Sequence, residues 1–260
     1  MGGDMDFCII SPTAGLERYA TLSKTHLVLA HECKVNDYLR FYIGRQQEGD
    51  FIILDNGAYE NGKPTYDWNL INALEPDIVV LPDYPLQEWK KTWHASIAWL
   101  DENFDDISGF EVLYIPQSEK GDLHGFLESY QEAVSDPRIT WIGIPRALAY
   151  AITDNPLMRV EFARMVRKDH PYLKLHAFGM VNGDIHELGY LASAGVTSID
   201  SSAPVWRGWN AYSLASAADP TQWDRHGTPV NFSAEDHDPL LTACIHNNLE
   251  ACGVRIPNRA

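Results

Sequence analysis

Only four cysteines occur in 260 residues, Cys8, Cys33, Cys244 and Cys252, and no two of them form a CxxC pair. That spacing argues against a disulfide-stapled secreted scaffold or a four-thiolate zinc module, and reduced, mostly buried thiols are expected. No apolar run approaches the ~20 residues of a membrane-spanning helix. The start, Met1-Gly2-Gly3-Asp4-Met5-Asp6, has neither the apolar stretch of a signal peptide nor the Ser/Thr of a myristoylation motif, so a soluble, cytoplasmic chain with no membrane partner is expected. Basic residues are scarce: 20 Lys and Arg against 36 Asp and Glu give a formal net charge of -16. This argues against a protein that holds nucleic acid by bulk electrostatics and does not exclude a local basic groove. Neither a His-x-His nor an HExxH spacing occurs. His176, with His31, His94 or Glu32, would be an irregular metal set, and no metal is expected.

Against these absences stands a regular rhythm. Eight short apolar runs recur: Phe7–Ile10, His26–Leu29, Phe51–Leu54, Asp77–Leu81, Glu111–Ile115, Thr140–Ile144, Leu173–Phe178 and Val196–Ile199. Continuous apolar runs without clean alternation suit parallel strands covered on both faces, and helices between them supply the crossovers. Helical spacing is clear over 86–103, over 154–169 behind an Asp154 cap with Leu157, Val160 and Phe162, and over 182–194, which stops at Gly195. Eight such units predict an α/β fold, a single-domain (β/α)8 barrel of the TIM type over residues 1–217, with a doubly wound sheet as the rival. Residues 218–260 read as a polar loop and a closing helix packed on the barrel. Asp238-Pro239 forms its cap and first turn, and Leu240, Leu241, Cys244, Ile245 and Leu249 lie on one side.

Three of the runs end in an apolar residue, Pro and a polar residue: Leu81-Pro82-Asp83, Ile115-Pro116-Gln117 and Ile144-Pro145-Arg146. Proline removes a ladder donor and holds its predecessor extended, so each strand stops there and the polar side chain opens the following loop. Asp55 and Asp200 follow their strands directly. Polar groups therefore collect at the C-terminal mouth, where barrel active sites lie. A lone Asp at a strand end serves equally well as a helix cap. Three carboxylates with Gln117 and Tyr59 at one mouth are harder to explain that way, because desolvated carboxylates repel one another. Such a set suits chemistry at an anomeric carbon, one carboxylate attacking while another moves a proton. The amide of Gln117 and the backbone of Gly143-Ile144 offer the mixed donors and acceptors of a purine-edge site.

Asp55-Asn56-Gly57-Ala58-Tyr59 resembles the aspartate–small–Gly–small–aromatic motif of the tRNA-guanine transglycosylases. Val79-Val80-Leu81-Pro82-Asp83, Tyr114-Ile115-Pro116-Gln117 and Trp141-Ile142-Gly143-Ile144 resemble their base-reading strands. His176-Ala177-Phe178-Gly179-Met180 and Gly195-Val196-Thr197-Ser198-Ile199-Asp200 resemble the last two, in the same order, over about residues 50–207. The resemblance implies Asp200 as the nucleophile at C1′ and Asp55 as acid/base. It also implies Asp83, Gln117, Gly143 and Ile144 as base readers, with Tyr59 and Phe178 sandwiching the ring. The zinc-binding CxCxxC-plus-His insertion of the tRNA enzymes is missing; only Cys244, His246 and Cys252 occur in that region. This departure points away from tRNA and toward the compact phage-encoded relatives that insert a 7-deazaguanine, such as 7-cyano-7-deazaguanine, into DNA without a cofactor. A tRNA substrate, hydrolysis of the N-glycosidic bond, or a non-catalytic subunit that binds deazaguanine are the alternatives. Arg146, Arg207 and Trp206, in Trp206-Arg207-Gly208-Trp209, are the candidate nucleic-acid contacts, with weak, salt-sensitive binding expected. Arg159, Arg164, Arg167 and Lys168 read as a solvated helix face, and His226, His237 and His246 as solvated tail residues.

Overall fold

The computed structural model describes residues 5–103, 109–215 and 230–257. Each of the eight apolar runs forms a strand: β1 Asp6–Ile9, β2 Thr25–Leu29, β3 Phe51–Asp55, β4 Ile78–Val80, β5 Glu111–Tyr114, β6 Trp141–Ile144, β7 Lys174–Ala177 and β8 Ser198–Ser201. Their apolar residues are buried on both faces, as in Ile52-Ile53-Leu54 and Ile78-Val79-Val80. That double burial is why none of the runs alternates with polar residues. The strand order is β1-β8-β7-β6-β5-β4-β3-β2 and every ladder is parallel. β1 lies beside β2, with the Thr25 hydroxyl donating to the Asp6 carboxylate at 3.1 Å, so the sheet curls into a nearly closed barrel. An order that runs round without reversal excludes the doubly wound alternative.

Helices fill the crossovers, including Trp89–Asn103, Leu123–Ser135, Met158–Asp169 and Ile185–Ser193. Asp122 and Asp184 cap two of them, accepting from the Gly125 and His186 amides at 2.9 Å. The expected Asp154 cap is not formed. Asp154 sits in a left-handed turn (φ 51°), and the helix begins only at Met158, after an exposed Leu157. Pro156 is the cause, since the residue before a proline is pushed out of helical geometry. The stop at Gly195 is as expected, with φ +83° at that glycine.

After β8 the helix Ala203–Trp209 packs against the final helix, Thr242–Ala251. The two backbones meet at Gly208, where an added Cβ would stand 2.7 Å from Ile245 Cα. Asp238 caps this segment, accepting from the Leu240 amide at 2.9 Å, and Pro239 opens a 3-10 turn, Pro239–Leu241. That turn has three residues per revolution rather than 3.6, so the helical phase shifts. Ile245 and Leu249 are buried as expected, but Leu240 is 84% exposed. His237 is also not a solvated tail residue. It is buried, hydrogen-bonded to the Tyr19 hydroxyl and edge-on to Trp209 at 4.6 Å. The 217/218 boundary and His226 lie outside the described residues. Three of the four cysteines are buried, and none of the four is in a disulfide. Among the described residues no helix is long and apolar enough to cross a membrane.

Gly208→Ala gains up to about 1 kcal/mol of helix propensity but must push two backbones apart, at a cost of roughly 1–3 kcal/mol or more. The expected result is a Tm lowered by a few degrees in thermal unfolding. An unchanged or raised Tm would contradict the close packing.

Candidate active site

The C-terminal ends of the strands carry the titratable groups. Asp55 is the last residue of β3, Asp200 the third of β8, and Asp83 follows β4 by three residues. All three are buried, as is Gln117 beyond β5. Asp83 is the centre of a buried polar network: the Asn56 Nδ2 donates to its Oδ1 at 2.8 Å and the Gln117 Nε2 to its Oδ2 at 2.6 Å. Asn56 also donates to the Leu81 carbonyl at 2.7 Å, so it ties the tip of β3 to the tip of β4. Burial pushes the Asp83 carboxyl up to about 6, against the pull of those two amides. Asp55 accepts from the Gly57 amide at 2.9 Å. Its pKa is nonetheless held well above the carboxylate range by burial, then by the charges of Glu60, Asp83 and Asp200. Gly57 has φ +71°, and a Cβ there would meet the Thr65 hydroxyl at 2.7 Å, so the turn that brings its amide to Asp55 needs glycine.

Asp200 is held differently. Its Oδ1 accepts from the Gly179 amide at 3.0 Å and lies 3.2 Å from the Nε2 of His176, whose Nδ1 is 2.8 Å from the Ser198 hydroxyl. Both contacts fall on Oδ1, which leaves Oδ2 for a ligand. The Gly179 amide is aimed by a buried ion pair behind it. Arg159, fully buried, donates to Glu187 at 2.6 Å, to the Gly179 carbonyl at 2.9 Å and to the carbonyls of Phe178 and Ile144 at 3.2 and 3.3 Å. Glu187 in turn accepts from the Val181 amide at 2.8 Å. Arg159 is therefore not on a solvated helix face. Its guanidinium satisfies the loop after β7.

Gly143 contributes space. A Cβ there would stand 2.7 Å from Phe178 Cε2, and the half-buried Phe178 ring lies edge-on to His176 at 4.6 Å. The Ile144 carbonyl already accepts from the Phe178 amide at 3.0 Å. Tyr59 stands on the rim, 63% exposed, where its hydroxyl accepts from Arg146 at 2.8 Å. Arg146 also lies 5.7 Å from the ring of Tyr150. Arg207 is half-buried, and its pKa is pushed down to about 10 by burial and by neighbouring Arg146. Trp209 is buried against Tyr19 and His237, and Trp206 packs partly against the core. Segment 230–237 lies across the β1–β2 side of the mouth. The Thr13 amide donates to the Phe232 carbonyl at 3.2 Å, and the Phe232 ring lies 6.3 Å from that of His31. Among the described residues no group of His, Cys, Asp and Glu has the geometry to hold a metal ion, and His246 packs edge-on to Tyr19.

Asn56, His176 and the Arg159–Glu187 pair are the site residues that sequence reading did not assign. His176 has a signal after all: β7 and β8 are adjacent, and His176 pairs in register with Ser198, two residues before Asp200.

A carboxyl with a raised pKa keeps in the fold a proton that it releases on unfolding. Its contribution to stability is full below the unfolded pKa of about 4 and is lost as pH rises through the folded pKa. For Asp83 that window runs from about 4 to about 6 and the loss is on the order of 3 kcal/mol. Asp55→Asn keeps an acceptor for the Gly57 amide and removes one of the crowded charges. The variant is expected to be more stable than the parent at pH 7, with a smaller fall in Tm between pH 4 and 7. A parallel pH profile at lower Tm would contradict the crowding.

No protein-family model matches the chain, and no curated protein matches it in sequence. Among solved structures it is similar to a Coccidioides immitis protein assigned as a fructose-1,6-biphosphate aldolase, at 11% identity and TM-score 0.58 over 95% of this chain and 90% of that one. It is similar also to N-acetylneuraminate lyase from Fusobacterium nucleatum, at 11% identity and TM-score 0.50 over 95% and 99%. The carboxyl transferase domain of Rhizobium etli pyruvate carboxylase aligns at 12% identity and TM-score 0.50 over 93% of this chain and 44% of that one. At such identities the likeness is one of fold, and the chain is a single-domain (β/α)8 barrel of the TIM type.

Proposed function

We propose that the chain is an enzyme, a base-exchange transglycosylase that replaces guanine in DNA by a 7-deazaguanine through a glycosyl-aspartate intermediate. The observation that carries this reading is a pair of carboxyls in unlike surroundings at one mouth. Asp200 is oriented by an amide and an imidazole on one oxygen, and Asp55 is kept protonatable by burial and neighbouring charge. Unlike environments for two carboxyls assign an acid and a nucleophile. Asp200 Oδ2 attacks C1′ as the C1′–N9 bond breaks, and the departing guanine takes a proton from Asp55. The incoming base returns a proton to Asp55 as its own N9 attacks C1′ and the ester to Asp200 breaks, so configuration is retained. Arg146 and Arg207 are the cations for phosphates beside a flipped nucleotide, which is the site such chemistry needs on a chain of net charge -16.

Schiff-base chemistry of the kind lysines support is the less suitable use of this barrel. Among the described strands the one lysine, Lys174, opens β7 at the opposite end and pairs with Glu111 at 2.8 Å.

The test is to incubate the protein with DNA or tRNA and labelled guanine or 7-cyano-7-deazaguanine. Label is expected in DNA, and Asp200→Asn is expected to reduce incorporation by at least 10³-fold, of the order seen when a nucleophile is removed, while Tm stays close to the parent's. Label in tRNA alone would move the substrate to tRNA. Release of free base without incorporation would make the reaction hydrolysis, and no label in either polymer would overturn the proposal.

A further inference from the structure

Tyr59 and Arg146 meet although their loops start on strands that are not neighbours. Tyr59 lies in the short helix Ala58–Asn61 after β3, and Arg146 stands just beyond the end of β6. Around the rim the ends of β4 and β5, which lead to Asp83 and Gln117, lie between them. The 2.8 Å hydrogen bond from the Arg146 Nη2 to the Tyr59 hydroxyl is therefore a chord across part of the mouth. The stem of Arg146 also passes the loop after β7. A Cβ added at Gly179 would stand 3.7 Å from Arg146 Cδ, and Gly179 is the residue whose amide holds Asp200. One arginine side chain thus joins the loops after β3, β6 and β7. The site groups themselves are closed off: Asp55, Asp83, Gln117 and Asp200 are 8%, 3%, 2% and 6% exposed, whereas Tyr59 on the rim is 63% exposed.

The chord is made of partners that are easily exchanged. The Arg146 guanidinium carbon lies 5.6 and 5.7 Å from the ring centres of Tyr59 and Tyr150, and its hydrogen bond goes to a hydroxyl; among the described residues no carboxylate pairs with it. Tyr150 belongs to the same loop as Arg146, in a π-helical turn, Leu148–Ile152, after which the Thr153 hydroxyl donates back to the Leu148 carbonyl at 2.6 Å. It therefore stays beside the guanidinium when Tyr59 leaves. A charge-assisted hydrogen bond to a phosphate oxygen is roughly twice as strong as one between neutral groups. A phosphate arriving at the rim wins Arg146 from Tyr59, because the bond it displaces has only a modest net worth.

We propose that the Tyr59–Arg146 pair is a clasp on the mouth that a phosphate of the incoming polymer opens: Arg146 gives up the tyrosine hydroxyl for a phosphate oxygen, and the loop after β3 is freed to admit the target base. The proposal rests on the base-exchange reading for the identity of the phosphate bearer and adds to it an order of events. Contact with the backbone precedes entry of the base, so the carboxyls stay shielded from water until the polymer is seated.

The experiment is a fluorescence anisotropy titration, at low ionic strength, of a labelled guanine-containing DNA duplex and of labelled tRNA. The proteins are the parent, Tyr59→Phe, Arg146→Gln and the double variant. Tyr59→Phe keeps the ring beside Arg146 and removes only the hydroxyl that competes with the phosphate. It is expected to bind the polymer about fivefold more tightly than the parent, with the Tm of the ligand-free protein close to the parent's because Tyr59 is exposed. Arg146→Gln is expected to weaken binding, and in that background Tyr59→Phe is expected to gain nothing. Unchanged or weaker binding by Tyr59→Phe, or a gain that survives the loss of Arg146, would overturn the clasp and leave base exchange standing. If the parent binds neither polymer, the reading on which the proposal rests falls, and the proposal with it.

Discussion

Burying several negative groups at one end of a barrel is the constraint to which the rest of this molecule answers. Burial holds Asp55 toward its protonated form, and the charges of Glu60, Asp83 and Asp200 act in the same direction, in surroundings where charge is poorly screened. The fold relieves each in a different way. Asp83 receives two side-chain amides, Asp200 a backbone amide and an imidazole, and Asp55 a single backbone amide, its carboxyl held well above the ordinary carboxylate range. The unequal relief separates the carboxyls chemically, which is what an acid and a nucleophile require of residues of the same type.

The donors must themselves be held, and that task falls to parts of the chain remote from any ligand. Arg159 and Glu187 form a buried ion pair whose hydrogen bonds reach the carbonyls of Ile144, Phe178 and Gly179, fixing the loop that presents the Gly179 amide. Such a pair adds little to net stability, but losing one partner strands the other as a buried charge. Gly143 acts by omission, leaving the volume that Phe178 fills above it. Outside, Arg146 between Tyr59 and Tyr150, with Arg207 nearby, gives an otherwise acidic surface a local positive rim. Attraction through so few cations is short in range and strongly screened by salt.

Much of the barrel is legible in the sequence because it depends on local rules. Eight apolar runs became eight strands, and Pro82, Pro116 and Pro145 mark where β4, β5 and β6 give way to loops. The same rule placed Asp55, Asp83, Gln117 and Asp200 at one end, since parallel strands all finish on the same side. Failures came where neighbours distant in sequence decide the outcome. Arg159 looks like one of four cations on a surface helix, yet its burial depends on Glu187, 28 residues later. His237 sits in a polar stretch and is buried by Tyr19 and Trp209. Two departures are local: Pro156 disfavours a helix start at Asp154, and the 3-10 turn at Pro239 rotates Leu240 outward. Tyr59 stands on the rim, where its hydroxyl accepts from Arg146, a partner 87 residues away in the chain.

The claim at the centre of this account is that Asp200 carries the sugar. Acid quenching after incubation with guanine-containing DNA in the absence of an incoming base, followed by protease and nuclease digestion and tandem mass spectrometry, tests it directly. A deoxyribose-linked nucleotide adduct on the peptide bearing Asp200 is the predicted result. An adduct mapped to Asp55 or Asp83, or base loss from DNA with no adduct at all, would contradict it.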